Sequence, residues 1–162
     1  MRYLWIALAC CGQTALGDPT FENRSNALPD HVYDGDWTHF VGGGVAVFDC
    51  NGDTLPDIFA AGGVNPAKLI INGGDFQFTD APLSPLTAAT GAYPIDINAD
   101  GHTDLFVMRV GANTILQGHG NCIFTDATTN LGIPPDNAWT TAFTAWWDGD
   151  ARPTLAIGNY VD

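Results

Sequence analysis

Apolar and polar positions along this chain follow a period of two in short runs, and the runs break at glycine and proline. "GVAVF" (44–48) alternates small and branched residues, while "PDIFAAGG" (56–63) and "DLFVMRVG" (104–111) run into glycines. "AKLIINGG" and "NTILQGHG" each lead through a glycine turn to "FQFTD" and "CIFTD". These are strand signals bounded by turn residues. No window carries an apolar stripe at the helical period of 3.6 with capping residues, and 19 glycines and 10 prolines punctuate the chain at short intervals. The pattern predicts an all-β protein.

The strand pattern repeats. "VAVFDCNGDTLPDIFAAGG" and "AYPIDINADGHTDLFVMRV" align without a gap at an offset of 47, placing Asp49 on Asp96, Asn51 on Asn98, Asp53 on Asp100 and Asp57 on Asp104. "NGGDFQFTDAP" and "GHGNCIFTDAT" align at an offset of 46, placing Phe78 on Phe124 and Asp80 on Asp126. A third copy begins in "AFTAWWDGDARPTLAIGNY", with Asp148 and Asp150 on Asn98 and Asp100, and "PTFENRS" echoes an earlier phrase with Phe21 in the place of Phe78. Four strands per repeat of 40 to 50 residues are the signature of propeller blades. The expected architecture is a partial β-propeller of four-stranded antiparallel blades. About two are complete, at about 41–82 and 89–128, a third begins at about 138, and parts of blades flank them.

The first 17 residues stand outside this pattern. Arg2, the apolar stretch Tyr3 to Cys11, and small residues Ala15 and Gly17 ahead of Asp18 come in the order of a secretory signal peptide. A lipoprotein cut before Cys10 is the alternative. No other apolar stretch approaches the ~18 residues of a membrane span, so residues 18–162 are expected as one exported segment, extracellular or, in a bacterium, periplasmic. The whole chain carries a formal charge of −13. Such an acidic surface repels phosphate backbones and anionic lipid, which argues against nucleic acid as a partner.

The repeat places acceptors where a cation would collect them. Oxygen side chains at loop positions 1, 3, 5 and 9, with a backbone carbonyl at position 7, supply the oxygen cage that Ca²⁺ prefers. In the first copy the ligands are Asp49, Asn51, Asp53, the carbonyl of Leu55, and Asp57; in the second they are Asp96, Asn98, Asp100, the carbonyl of His102, and Asp104. Without a cation, neighbouring carboxylates raise one another's pKa and strain the loop. Asx turns account for one such loop without an ion, but two aligned copies favour calcium. An EF-hand is excluded, because position 12 holds Ala60 and Val107 instead of glutamate and the flanks are strands. Thr54 replaces the glycine that Gly101 supplies, so tighter binding is expected in the second loop. The third copy, with Trp146 at position 1 and Thr154 at position 9, should hold no ion.

"DINADGHTDLFV" followed by "ILQGHGNCIFTDATTNLGI" resembles the FG-GAP or VCBS repeat of integrin α-subunit propellers and many exported bacterial proteins. The glycine-rich turn before F-T-D is similar to the cartilage acidic protein group, whose propellers often carry an ASPIC/UnbV domain. The resemblance implies a calcium-binding extracellular propeller with each ion between the first two strands of a blade. Fewer than three repeats cannot close a ring of four to eight blades, so the remaining blades of a longer chain are expected to complete it, or, alternatively, further copies.

No G-x-S-x-G, H-E-x-x-H or phosphate-binding glycine loop occurs, and no nucleophile stands beside a histidine, so no enzyme activity is expected. His31, His39, His102 and His119 lack metal-ligand spacing, and Trp139, Trp146 and Trp147 read as packing between blades or at the rim. With Cys10 and Cys11 in the leader, Cys50 and Cys122 remain; a bridge between them is not expected, since neighbouring blades usually hold such positions beyond the ~7 Å Cα separation a disulfide tolerates. The functional expectation is an exported module that binds an extracellular protein or glycan. The alternative is the non-catalytic propeller portion of a polysaccharide-acting enzyme.

Overall fold

The computed structural model describes residues 18–40, 42–133 and 137–160, so the leader expected over 1–17 lies outside the described residues. Among the described residues, ten strands form three antiparallel sheets. The first holds β1 (Val45–Phe48), β2 (Asp57–Ala60), β3 (Lys68–Asn72) and β4 (Phe78–Ala81); the second holds β5 (Ala89–Ile95), β6 (Asp104–Arg109), β7 (Thr114–Gly118) and β8 (Phe124–Asp126). The third pairs β9 (Thr140–Trp146) with β10 (Thr154–Asn159). Each four-stranded sheet is a meander in which every strand pairs with its sequence neighbour. The architecture is a partial β-propeller, with two four-stranded blades and a two-stranded third.

Alternation along β6 explains why the sheets stack. Leu105 and Val107 join a buried cluster with Phe59, Ala61 and Ala89 that connects the first and second sheets. Their neighbours Phe106 and Met108 turn the other way, into a cluster with Ile115 that packs Phe143 and Leu155 of the third sheet. Both faces of β6 are therefore covered, which is why its sequence reads as an unbroken apolar run. Phe143 stacks on Tyr93 and Phe106, with ring centroids at 4.7 and 4.6 Å. Burying one such ring contributes roughly 1.5–3 kcal/mol.

The first strands of the two blades meet at backbone level. Gly44 N–H donates to Thr90 O at 2.9 Å, and a Cβ on Gly44 would lie 2.7 Å from the Gly91 Cα. At the end reached after β2, β4 and β6, further backbone bonds join the blades: Gly63 N–H to Ala89 O at 3.0 Å and Gly111 N–H to Ala138 O at 3.1 Å.

Residues 18–33 include no strand, and Phe21 is 96% exposed, so the echo in "PTFENRS" does not build a blade. The segment is tied to the first sheet farther on, where His31 Nε2 meets Ala61 O at 2.8 Å and Asn65 Nδ2 donates to Val32 O at 2.9 Å. Trp139 is buried and meets Tyr160 edge-on at 5.3 Å, whereas Trp146 and Trp147 are exposed and fill no space between blades. Among the described residues no helix is long and apolar enough to cross a membrane.

Candidate metal centre

Antiparallel connection puts the segments 49–56, 73–77, 96–103 and 119–123 at one end of the sheets. Two of them are the acidic loops, and their backbones fold alike. Asp49 Oδ1 accepts from the N–H groups of Asn51 and Gly52 at 3.2 and 2.7 Å, and its Oδ2 accepts from Thr54 N–H at 2.8 Å. Asp96 Oδ1 accepts from Ala99 and Asp100 N–H at 2.7 and 3.2 Å, and its Oδ2 from Gly101 N–H at 2.9 Å. Each loop then continues through two Asx turns. Asn51 accepts from Asp53 N–H and Asp53 from Leu55 N–H, as Asn98 accepts from Asp100 N–H and Asp100 from His102 N–H, all between 2.8 and 3.0 Å.

This ring of N–H groups requires left-handed backbone at positions 4 and 6. The first loop supplies Gly52 at φ 82° and Thr54 at φ 70°; the second supplies Ala99 at φ 64° and Gly101 at φ 86°. Each loop thus holds one non-glycine residue in that state, which costs roughly 1–2 kcal/mol. Strain alone does not favour the second loop as the sequence comparison suggests, because Ala99 carries a penalty as Thr54 does.

The carboxylates differ in environment. The Thr54 N–H, ahead of the other loop amides, holds Asp49 below the usual carboxylate range. Asp100 is also lowered, by the His102 N–H first and then by the Asn98 side chain, with Gln117 Nε2 donating at 3.2 Å. Asp104 goes the other way: burial raises its pKa, against the opposing effect of the Gly118 and Ile97 N–H groups. Asp57 and Asp104 are fully buried, while Asp53 and Asp100 are exposed.

The donor set is all oxygen, as a hard cation requires; position 5 is exposed in both loops and position 3 half-buried. Asp49 Oδ1 and Asp96 Oδ1 each accept two N–H bonds, whereas the Oδ2 of each accepts one and keeps a lone pair. The residue types present suit Ca²⁺, which would be held by Asp49, Asn51, Asp53, the Leu55 carbonyl and Asp57 in one loop and by Asp96, Asn98, Asp100, the His102 carbonyl and Asp104 in the other. The acids of one loop are not crowded together. Among the described residues, the triad with all candidate ligand atoms within 4.8 Å is Cys50, Asp57 and Cys122.

That triad is not a metal site, because Cys50 and Cys122 form a disulfide with a Cα separation of 4.7 Å. The bridge overturns the sequence expectation. Cys50 follows β1 and Cys122 follows β7, and both connections lie at the same end of adjacent blades, where Cys122 N–H also donates to Cys50 O at 2.9 Å. Leu69, Ile71 and Phe124 pack around the bridge. Its sulfurs lie 3.0 and 3.6 Å from Asp57 Oδ2, as contacts and not hydrogen bonds, since a disulfide has no S–H to donate.

The third acidic loop is built differently. β10 pairs Thr154 with Trp146, whereas Asp57 pairs with Phe48 and Asp104 with Ile95. Residues 147–153 therefore span the turn, one fewer than 49–56 or 96–103. Trp146 belongs to the strand, and its indole N–H donates to Asp148 Oδ2 at 2.8 Å, with the Thr154 hydroxyl at 3.3 Å. Asp148 is thus engaged by its own hairpin.

Residues 49–107 match the family described as FG-GAP-like repeat. No curated protein matches the chain.

Proposed function

Because the chain carries an FG-GAP-like repeat over residues 49–107, a propeller-type module, we propose that it is an exported, calcium-stabilised binding module whose partner is an extracellular protein or glycan. The observation that carries this reading is the shared hydrogen-bond framework of the loops at 49–57 and 96–104, formed despite different residues at positions 2, 4, 6, 7 and 8. In each, backbone N–H groups hold the position 1 carboxylate within the loop and leave the position 5 aspartate exposed. Calcium would supply a fixed charge that draws the loop oxygens together and tightens the turn between the first two strands. The chain's residues do the rest: Asp49 and Asp96 orient the backbone, and the Asx turns at Asn51, Asp53, Asn98 and Asp100 set the spacing. Exposed aromatics, among them Trp147 and the stacked pair Trp37 and Phe40, support a role in binding a partner.

Isothermal titration of the chelator-treated protein tests the reading. Two calcium ions should bind per chain, with one lost in Asp96→Ala and the other in Asp49→Ala. Absence of binding heat at millimolar calcium would contradict it.

A further inference from the structure

Asp57 and Asp104 stand apart from the other loop acids, being fully buried and bonded on both oxygens to backbone at two separate places. Asp57 Oδ2 accepts from Cys50 N–H at 3.0 Å and its Oδ1 from Asn72 N–H at 2.9 Å. Asp104 Oδ2 accepts from Ile97 N–H at 2.9 Å and its Oδ1 from Gly118 N–H at 2.8 Å. One oxygen therefore holds position 2 of the loop, and the other holds the end of the blade's third strand.

The second contact takes up a donor that the sheet leaves behind. Pairing between the second and third strands ends at Ile58 with Ile70 and at Leu105 with Leu116. Asn72 and Gly118 lie two residues beyond those pairs, and each N–H turns to the aspartate. A Cβ on Gly118 would run into Thr103 O, so that strand end approaches the loop as closely as its backbone allows.

We infer that Asp57 and Asp104 are positioning residues, struts that lock each loop to the third strand of its blade whether or not an ion is bound. The inference deepens the calcium reading, on which it rests for the loop's purpose, but the strut itself needs no metal. Two N–H donors require two acceptors, and a carboxylate offers acceptors only. Asparagine has the same shape and would set its NH₂ against one of those donors, leaving a buried N–H without a partner. Thr154 at the matching place in the third hairpin has one oxygen and reaches Asp148 instead, so that loop has no strut.

Thermal melts of the full chain in chelator and in calcium separate the strut from the ligand role. Asp104→Asn should lower the melting temperature in chelator by about 5 °C, the scale expected for one buried unpaired donor. The control Asp150→Asn, an exposed carboxylate in the shortened hairpin, should leave the chelator value within about 1 °C. If Asp104→Asn leaves the chelator melt unchanged, the strut is overturned while the calcium reading stands. If calcium raises no melting temperature and Asp104→Asn still melts low in chelator, the calcium reading falls and the strut stands. Should the variant not fold, amide exchange on the unsubstituted chain in chelator decides: Ile97 and Gly118 should exchange far more slowly than residues 99–101, and equal rates would overturn the inference.

Discussion

Cys50 and Cys122, 72 residues apart in sequence, are joined across two blades, and Cys50 is also position 2 of the first acidic loop. The bridge therefore ties a candidate calcium loop to the turn between the last two strands of the next blade. Removing a native disulfide typically costs about 2–4 kcal/mol. The double variant Cys50→Ser, Cys122→Ser should lose that much free energy of unfolding, read as a lower urea midpoint, and a dithiol reductant should do the same to the parent chain. Calcium affinity should fall at the first loop and hold at the second. A urea midpoint unaffected by reduction would refute the structural role of the bridge.

Left-handed backbone gives a second test. Thr54→Gly and Ala99→Gly each remove a non-glycine residue from positive φ, at 70° and 64°. Each should stabilise the chain by about 0.5–1 kcal/mol after the added freedom of the unfolded glycine is counted, with the larger gain at β-branched Thr54. Urea midpoints measure this. Destabilisation by both variants would contradict the loop geometry.

Protonation should distinguish the acids by environment. Burial raises Asp104, so in chelator its ionisation is a burden on the folded state that develops as pH climbs from the ordinary carboxylate value through the raised one. Asp49 and Asp100 are lowered by loop N–H groups, so their stabilising effect is present above the ordinary value and is lost as pH falls through the lowered one. Carboxyl carbon NMR titration without calcium should find Asp104 above the ordinary midpoint and the other two below it. Added calcium should move the Asp104 midpoint down, because ion and proton compete for the same oxygens. The opposite order without calcium would refute the assigned environments.

Much of this fold is legible in the sequence. Short alternating or apolar runs mark β1 to β8, and glycines mark the turns, because a half-buried strand, a strand covered on both faces and a tight turn each demand particular residues. The acidic loops are legible for the same reason: Asp, Asn and Gly at alternate positions leave few conformations. Other features turn on spatial relations that spacing does not encode. The left-handed state of Ala99 leaves no mark, since alanine has no preference for it. The one-residue shortening before Thr154 shows only in the pairing of β9 with β10, so an ungapped alignment sets Trp146 at a loop position that the strand absorbs. The bridge between Cys50 and Cys122 depends on which ends of adjacent blades abut, and the strut at Asp57 and Asp104 uses a residue type equally suited to binding an ion.

The melting temperature of the full chain in calcium and in chelator, for the parent, Asp100→Ala and Asp150→Ala, tests the central claim most directly. Ion binding stabilises the folded state by mass action, about 2.7 kcal/mol per site at a hundredfold excess over the dissociation constant. Asp100 lies in an intact loop, whereas Asp150 lies in the shortened hairpin where Trp146 donates to Asp148. Calcium should raise the melting temperature of the parent, Asp100→Ala should remove much of that gain, and Asp150→Ala should keep nearly all of it. An unchanged melting temperature in chelator, or equal loss in the two variants, would contradict the account.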